Sequence, residues 1–539
     1  MIRTTLATLF SFIVLGTFLL VVSGLVFYFG GLYDTFGLRG LIALEAALFV
    51  VMWLVAPLLS DWIYQGFYGV KWLSFDDLGQ RDAHLAAFVQ DLCKKRKIAL
   101  PKIGFVEDDN PQAFTYGSDH WNARMVFTRG IFTFLDGNER KAVAAHEIGH
   151  IVHRDFIVMT LAAFILTVLY VIGRTLIRMR GGRKNPLPLI GLISLIFYYI
   201  GQYVLLFLSR TREYSADAFA KRECGNGNDL STVLVKIAYG IVTTPDTERT
   251  KDLMEGTRTL GIFDHKAAKT FGLVSTDFIN NRDASAVTNA MVYDIHNLWA
   301  FWLELGSSHP LTGKRIKALL AGEKEPVFDV AAVDSYPFDR VGHFGEFLRD
   351  WTISSLWAIV TLACVVAWMI KALPVAAVLV GAGVGLAVRA FYRYPLRAPE
   401  PTTIDELMSD PYASPVRGKR CALTGTLVGR GVPGFIFSED FMFQDRSGLL
   451  FIDYQHWFPG LGDLVFAVKR AAGLVGQQAS CDGWFFRGFS QYLALNELRC
   501  EEVVLKSHQR ILALVGALIV AIAGGVWWVA GASLTRIFV

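Results

Sequence analysis

Cysteine is scarce in this chain and nowhere clustered. Its six residues (Cys93, Cys224, Cys364, Cys421, Cys481 and Cys500) form no Cys-x-x-Cys pair and no dense framework. That argues against a disulfide scaffold and fits a reducing compartment. Charge is thin as well: 19% of the 539 residues are charged, and a net +4 points to no particular partner. What fills the chain instead is apolar. Hydrophobic residues make up 53%, and the mean hydropathy of +0.40 is well above that of a soluble protein.

A bilayer crossing needs about 20 apolar residues. Seven stretches fit: Thr4–Tyr33, Ala46–Ser60 (extended back through Glu45 to Gly40), Phe156–Gly173, Asn185–Ser209, Trp351–Ile370, Ala372–Val388 and Ile511–Thr535. The first is too long for a signal-peptide core and has no clear small-x-small cleavage site, so it reads as an uncleaved anchor. Glu45 is a costly group inside a membrane; lying within two turns of its span's start, it is expected at the interface.

Histidine is also rare, with 11 residues, yet two of them stand in His146-Glu147-Ile148-Gly149-His150. On a helix, residues four apart leave the same face one turn apart. Both imidazoles can then share one Zn²⁺, with Glu147 beside it to take a proton from the attacking water. The preceding residues, 138–145, are strong helix formers. Composition alone produces such a pentad about once in a hundred chains of this kind, so a third ligand is required. Glu213, in Ser209–Ala220, supplies it: two His and one Glu leave a fourth position open on zinc. Asp217, at i+4, is expected to accept the outer N–H of a ligand histidine, and Asp155 to support the catalytic helix or a ligand histidine in the same way. The bland alternative is a helix of solvated charges at Arg210, Arg212, Glu213 and Asp217. His153 is close in sequence, but the three-ligand set is complete without it. His120 reads as a surface residue.

These blocks resemble the HtpX-like membrane zinc metallopeptidases, gluzincins related to the CAAX prenyl endopeptidases. The resemblance rests on AHEIGHIVHRD (145–155), RTREYSADAFA (210–220), the His-Pro block Ser308–Ile316, and the stretches Asn110–Gly117 and Val126–Gly130. It covers about residues 40 to 320. It implies one Zn²⁺ per chain held by His146, His150 and Glu213, Glu147 as general base, and His309 and Arg315 near the active site, where either is available to the tetrahedral oxyanion. Gln112, where the family usually has Asn, and everything beyond about residue 345 depart from it.

The fold class expected is an α+β multi-pass membrane protein: a gluzincin-like peptidase domain on transmembrane helices plus a small C-terminal β-barrel, OB-like. Two spans occupy 1–60. The catalytic domain begins at 61–155 with the pentad helix, is interrupted by two spans at 156–209, and is completed by 210–349, which carries the third ligand. Two more spans fill 351–391, a β-rich module 400–508, and a last span 511–535. The pentad helix should run into the membrane at Phe156, and the Glu213 helix should return from it at Ser209, placing the zinc just outside the bilayer. Ala113–Tyr116 and Arg124–Thr128 read as a hairpin. Ala113, Phe114 and Thr115 would form an edge strand on which an extended substrate pairs.

The 400–508 module follows a Pro-rich linker and has five β-type runs: Cys421–Val428, Phe435–Phe443, Leu449–Tyr454, Ala479–Phe486 and Tyr492–Leu495. With 13 acidic and 10 basic residues it lacks a nucleic-acid surface, so a protein partner is the expectation there. Substrates are expected to be membrane proteins or peptides reached from the bilayer. Pairs of spans separate the soluble parts, putting them on one face. Lys and Arg near span ends count ten on that face against eight on the other. That count, with the unpaired cysteines and the resemblance, makes the face cytoplasmic, at the cell (inner) membrane. A processing enzyme for a lipidated or membrane-anchored peptide and a non-catalytic zinc-containing scaffold stay open as other readings. Glu147 argues against the scaffold.

Overall fold

The computed structural model describes residues 2–29, 33–179, 185–244, 271–430, 440–467, 471–488, 491–500 and 503–537. Three of the basic residues counted above, Arg180, Arg183 and Lys184, lie outside them, as does the 435–439 part of one expected strand. Seven helices are long and apolar enough to cross a membrane: Thr4–Phe29, Ala43–Gly66, Asp155–Ile177, Leu187–Cys224, Arg340–Met369, Ala376–Arg393 and Gln509–Ala530. They are the seven read from the sequence, and the protein is a multi-pass membrane protein. The described residues group into two compact units, 2–244 with 302–327, and 271–301 with 328–537. The stretch 210–349, expected as one part, is thus divided between them.

The first unit opens with α1 (Ile2–Phe29) and α2 (Tyr33–Gly66). Next come β1 (Lys71–Leu73), α3 (Phe75–Arg81), α4 (Ala83–Arg96), β2 (Lys102–Val106), β3 (Ala113–Tyr116), β4 (Arg124–Thr128) and α5 (Arg129–Phe134). The pentad helix α6 (Gly137–Val152), α7 (Asp155–Ile177), α8 (Leu187–Cys224) and α9 (Asn228–Thr243) follow, with the helix Thr312–Leu320 returning to the unit. Leu15, Leu19 and Val22 of α1 pack with Ala162, Ile165, Leu166 and Leu169 of α7 and Leu208 of α8 in one buried cluster. Glu45 accepts a hydrogen bond from the buried Ser23 hydroxyl at 2.7 Å. A neighbouring span thus gives this carboxylate a donor near the start of its own span.

The four strands form a sheet of order β1-β2-β4-β3. β3 and β4 pair antiparallel, Ala113 opposite Phe127 and Tyr116 opposite Arg124. The hairpin has the bounds expected from its two β-type runs, and β3 is the sheet's edge. Its side chains, on both faces, are nevertheless all buried. Phe114 packs with Tyr64, Val70, Tyr116 and Val126, so what this strand can offer a substrate is backbone.

In the second unit, five strands close on themselves. They are β6 (Lys419–Arg430), β7 (Phe441–Gln444), β8 (Leu449–Asp453), β9 (Gln478–Arg487) and β10 (Gln491–Cys500), with β5 (Glu400–Pro401) and β11 (Val504–Lys506) appended. The pairs β6–β7, β7–β8, β8–β10, β10–β9 and β9–β6 complete the ring, and only β8–β10 is parallel. With a helix, Leu461–Phe466, between the third and fourth strands, this is an OB-like barrel. Its interior holds Leu423, Phe441, Phe443, Ile452, Phe485 and Leu493. Helices 376–393 and 509–537 of this unit approach closely at Gly383, where a Cβ would lie 2.5 Å from the Ala521 nitrogen. Small residues at such crossings let apolar helices pack. All six cysteines are free. Burial pushes the Cys93 thiol up to about 11 and Cys421 to about 12, leaving them inert at neutral pH.

Candidate metal centre

Helix α6 is fixed at its start. Asp136 caps it, accepting from the Asn138 and Glu139 amides, while Glu139 reaches back to the Asp136 amide in a capping box. Lys236 of α9 clamps Glu139. The helix ends at His153. Arg154 then adopts a left-handed conformation (φ 56°) and α7 starts afresh at Asp155. The expected continuous run from the pentad into the membrane is therefore broken. The break swings Asp155 back beside His150. By contrast, α8 is one unbroken 38-residue helix carrying both a span and Glu213. It approaches α6 at Gly149, where a Cβ would sit 3.2 Å from Ala216 Cα and 3.3 Å from Phe219 Cβ.

The histidines are oriented by two matching chains of side chains. His146 Nδ1 lies 3.0 Å from Asp217 Oδ1. Asp217 in turn takes a two-pronged contact from Arg315, Nε at 2.8 Å and Nη2 at 2.7 Å. His150 Nδ1 lies 2.6 Å from Asp155 Oδ2, and Asp155 is gripped by Arg212, whose Nη2 also donates to the His153 carbonyl at 2.8 Å. With each Nδ1 beside a carboxylate, each Nε2 is the atom turned inward, with a lone pair for a metal once its proton has left. The two Nε2 atoms face each other at 3.2 Å. Glu213 completes the group, 3.6 Å from His146 Nε2 and 3.5 Å from His150 Nε2.

Three ligating atoms converging on one buried point, two imidazoles and a carboxylate, form a cradle suited to a metal cation. Glu213 Oε2 is buried, with His146 Nε2 at 3.6 Å and Arg315 Nη1 at 3.5 Å as its charged neighbours. Among the described residues, His146, His150 and Glu213 form the one group of three with metal-ligating atoms all within 4.8 Å of one another. The donor set therefore fits Zn²⁺, which favours imidazole and carboxylate ligands. His153 is outside it, its ring edge-on to Phe219 at 5.8 Å.

Burial disfavours a charged His146, but Asp217 and Glu213 outweigh it and lift its pKa to about 9. Against the same burial, His150 is shifted upward by Asp155 and Glu213, so zinc uptake at pH 7 is expected to release a net positive number of protons from the two imidazoles. Titration calorimetry in buffers of differing ionisation enthalpy reads that number, and a value near zero would contradict the assigned ligands. Glu147 is fully buried. Thr115 of the edge strand donates to its Oε2 at 2.9 Å, and its Oε1 has no partner. Burial raises its pKa, against the pull of His146, His150 and the Thr115 hydroxyl.

Of the two His-Pro-block residues, His309 points at the centre, its Nε2 3.6 Å from Glu213 Oε1. The loop before it is held by Arg210, which donates to the carbonyls of Glu304 at 2.8 Å and Ser307 at 2.7 Å. Arg315 is buried at 2% exposure, with Nε and Nη2 on Asp217 and Nη1 3.5 Å from Glu213. It is placed to position Asp217 rather than to reach an oxyanion. Arg212 is the residue sequence reasoning undervalued. It is no solvated charge but a buried partner of Asp155, and its place on a helix leaving an apolar span was the available signal. His120, half-buried, contacts Asp119 and not the centre.

Seven apolar helices and an inward-facing His-His-Glu group beside a buried glutamate define the class, a membrane protein built like a metallopeptidase. Residues 79–323 match the model of peptidase family M48, and the resemblance to HtpX-like membrane peptidases read from the sequence is borne out. A relative from Methanothermobacter thermautotrophicus, described as a protease HtpX homolog, is 39% identical over 153 residues. That match covers 28% of this chain and 58% of the relative. Another so described, from Aeropyrum pernix, is 29% identical over 305 residues, 54% of this chain and 88% of the relative. The crystal structure of S. mikatae Ste24p aligns with a TM-score of 0.29 and 20% identity, covering 44% of this chain and 60% of that one.

Proposed function

We propose that this chain is a zinc-dependent membrane endopeptidase that cleaves membrane-associated or misfolded proteins. The observation that carries the reading is the convergence of His146, His150 and Glu213 beside a buried Glu147 with one carboxylate oxygen left free. His146, His150 and Glu213 would hold one Zn²⁺, which when bound polarises a carbonyl and makes water more acidic. Glu147, with its pKa raised by burial, takes a proton from the attacking water and passes it to the leaving amine. Thr115 fixes that carboxylate from the edge strand. His309, whose Nε2 faces the centre, would donate to the developing oxyanion. The free edge of β3 would pair with an extended substrate, so specificity rests on backbone shape more than on side-chain pockets.

Membrane association follows from α7 and α8, which carry Asp155 and Glu213 on the same helices as two spans. A misfolded substrate tethered in the same vesicle should be cleaved faster than its soluble counterpart at matched concentration. Equal rates would count against membrane substrates. A comparison of membrane proteomes from cells with the wild-type and Glu147→Gln proteins identifies the natural ones, which accumulate in the variant.

We place the catalytic residues on the cytoplasmic face. The test is labelling of intact cells, in a cysteine-free background, with an impermeant thiol reagent at Arg178→Cys, beyond the far end of α7, and at Arg129→Cys, on the catalytic side. Labelling at 178 with protection at 129 is the expected pattern, and the reverse would invert the orientation.

A further inference from the structure

We propose that the segment Gln455–Ala467 of the barrel is a membrane-surface anchor, its apolar side chains seated in the lipid interface where the last span begins. Trp457, Phe458, Leu461, Leu464 and Val465 are between 43% and 78% exposed, a cluster of large apolar groups that water does not favour. The segment contains one charge, Asp463, and that carboxylate is turned inward. It accepts from the His456 amide at 2.7 Å, the Gly460 amide at 2.7 Å and the Gln455 side chain at 2.6 Å. The loop is thereby stitched into one shape with its polar groups satisfied inside and its outer face wholly apolar. Gly462 is part of that shape, since a Cβ there would lie 2.0 Å from His456 Nδ1.

The occupant is set by what the segment is joined to. The His508 amide donates to the Gln455 carbonyl at 3.0 Å, the Gln509 side chain donates to the Asp453 carbonyl at 2.9 Å, and the Trp457 ring stands edge-on to His508 at 5.2 Å. Residue 509 is where the last membrane helix starts. The exposed side chains therefore sit at the level where a span enters the bilayer, the depth at which Trp and Phe beside apolar residues bury about 5–10 Å into the headgroup boundary. A protein partner would have to reach the same apolar face through that boundary. This inference needs only that helix 509–537 crosses a membrane and is independent of any peptidase activity.

The test uses the full chain in phosphatidylcholine–phosphatidylglycerol vesicles, with an environment-sensitive fluorophore on Leu461→Cys and, separately, on Phe458→Cys. Both positions are exposed, so the fold does not depend on them. A fluorophore on Arg499→Cys, an exposed charged site of the same barrel, is the aqueous reference. Nitroxide lipids labelled high on the acyl chain should quench positions 458 and 461 several-fold more than 499, and aqueous iodide should quench them several-fold less. Quenching by iodide without quenching by the lipid would overturn the proposal. Protection from both would overturn it in favour of a protein covering the face.

Discussion

Glu147→Gln is expected to lower peptide cleavage by about 10²–10⁴-fold while zinc content stays at one per chain. Glu147 is not among the converging acceptors. It lies beside them, tied by Thr115 at 2.9 Å, with one oxygen free for a proton. Glutamine keeps the shape and the hydrogen bond from Thr115 but cannot accept the proton. Metal analysis and a cleavage assay on the same purified sample separate the two properties. Undiminished cleavage would remove Glu147 from the mechanism, and loss of zinc would make it a ligand.

Glu213→Ala should abolish zinc binding and cleavage together, because two histidines alone hold zinc poorly. Asp217→Asn is the graded companion. It leaves every proposed ligand in place but weakens the acceptor on His146 Nδ1, and removing such partners costs roughly 10–100-fold in metal affinity. Asp155→Asn should act alike through His150. Arg315→Met differs in kind. It leaves Asp217 buried without its cation, and breaking such a pair costs about 3–5 kcal/mol of stability, read as a lower melting temperature even in the zinc-free protein. Asp217→Asn with unchanged zinc affinity would show that the Arg–Asp–His chains do not orient the ligands.

Much of this was legible in sequence because the signals are local. The seven spans are continuous apolar runs. The β3–β4 hairpin shows as two β-type segments around a polar turn, and its observed bounds are those read from the pattern. The pentad and Glu213 each lie within single helices whose periodicity fixes which side chains share a face. What was hidden depends on contacts distant in sequence. Asp155 and Arg212 stand 57 residues apart, and Asp217 and Arg315 stand 98 apart, so neither Arg–Asp chain has a local signature. The break at Arg154 carries no glycine or proline to announce it, which is why one helix was expected to run from the pentad into the membrane. Ala113–Thr115 do lie on the edge strand expected for substrate pairing, but that the sheet packs both of its faces and buries their side chains depends on contacts distant in sequence. The barrel's strands were visible one by one. A closed barrel was expected from their number and spacing, but that β6 meets β9 and β8 meets β10 to close it was not, because no local pattern encodes which strands pair.

The measurement that tests the central claim most directly is zinc-edge X-ray absorption on the purified protein. The account predicts one Zn²⁺ per chain with two imidazole nitrogens and carboxylate oxygen at about 2.0–2.2 Å and no sulfur, and a signal lost in His146→Ala. A sulfur shell at about 2.3 Å, or an unchanged spectrum in His146→Ala, would place the metal elsewhere and contradict it.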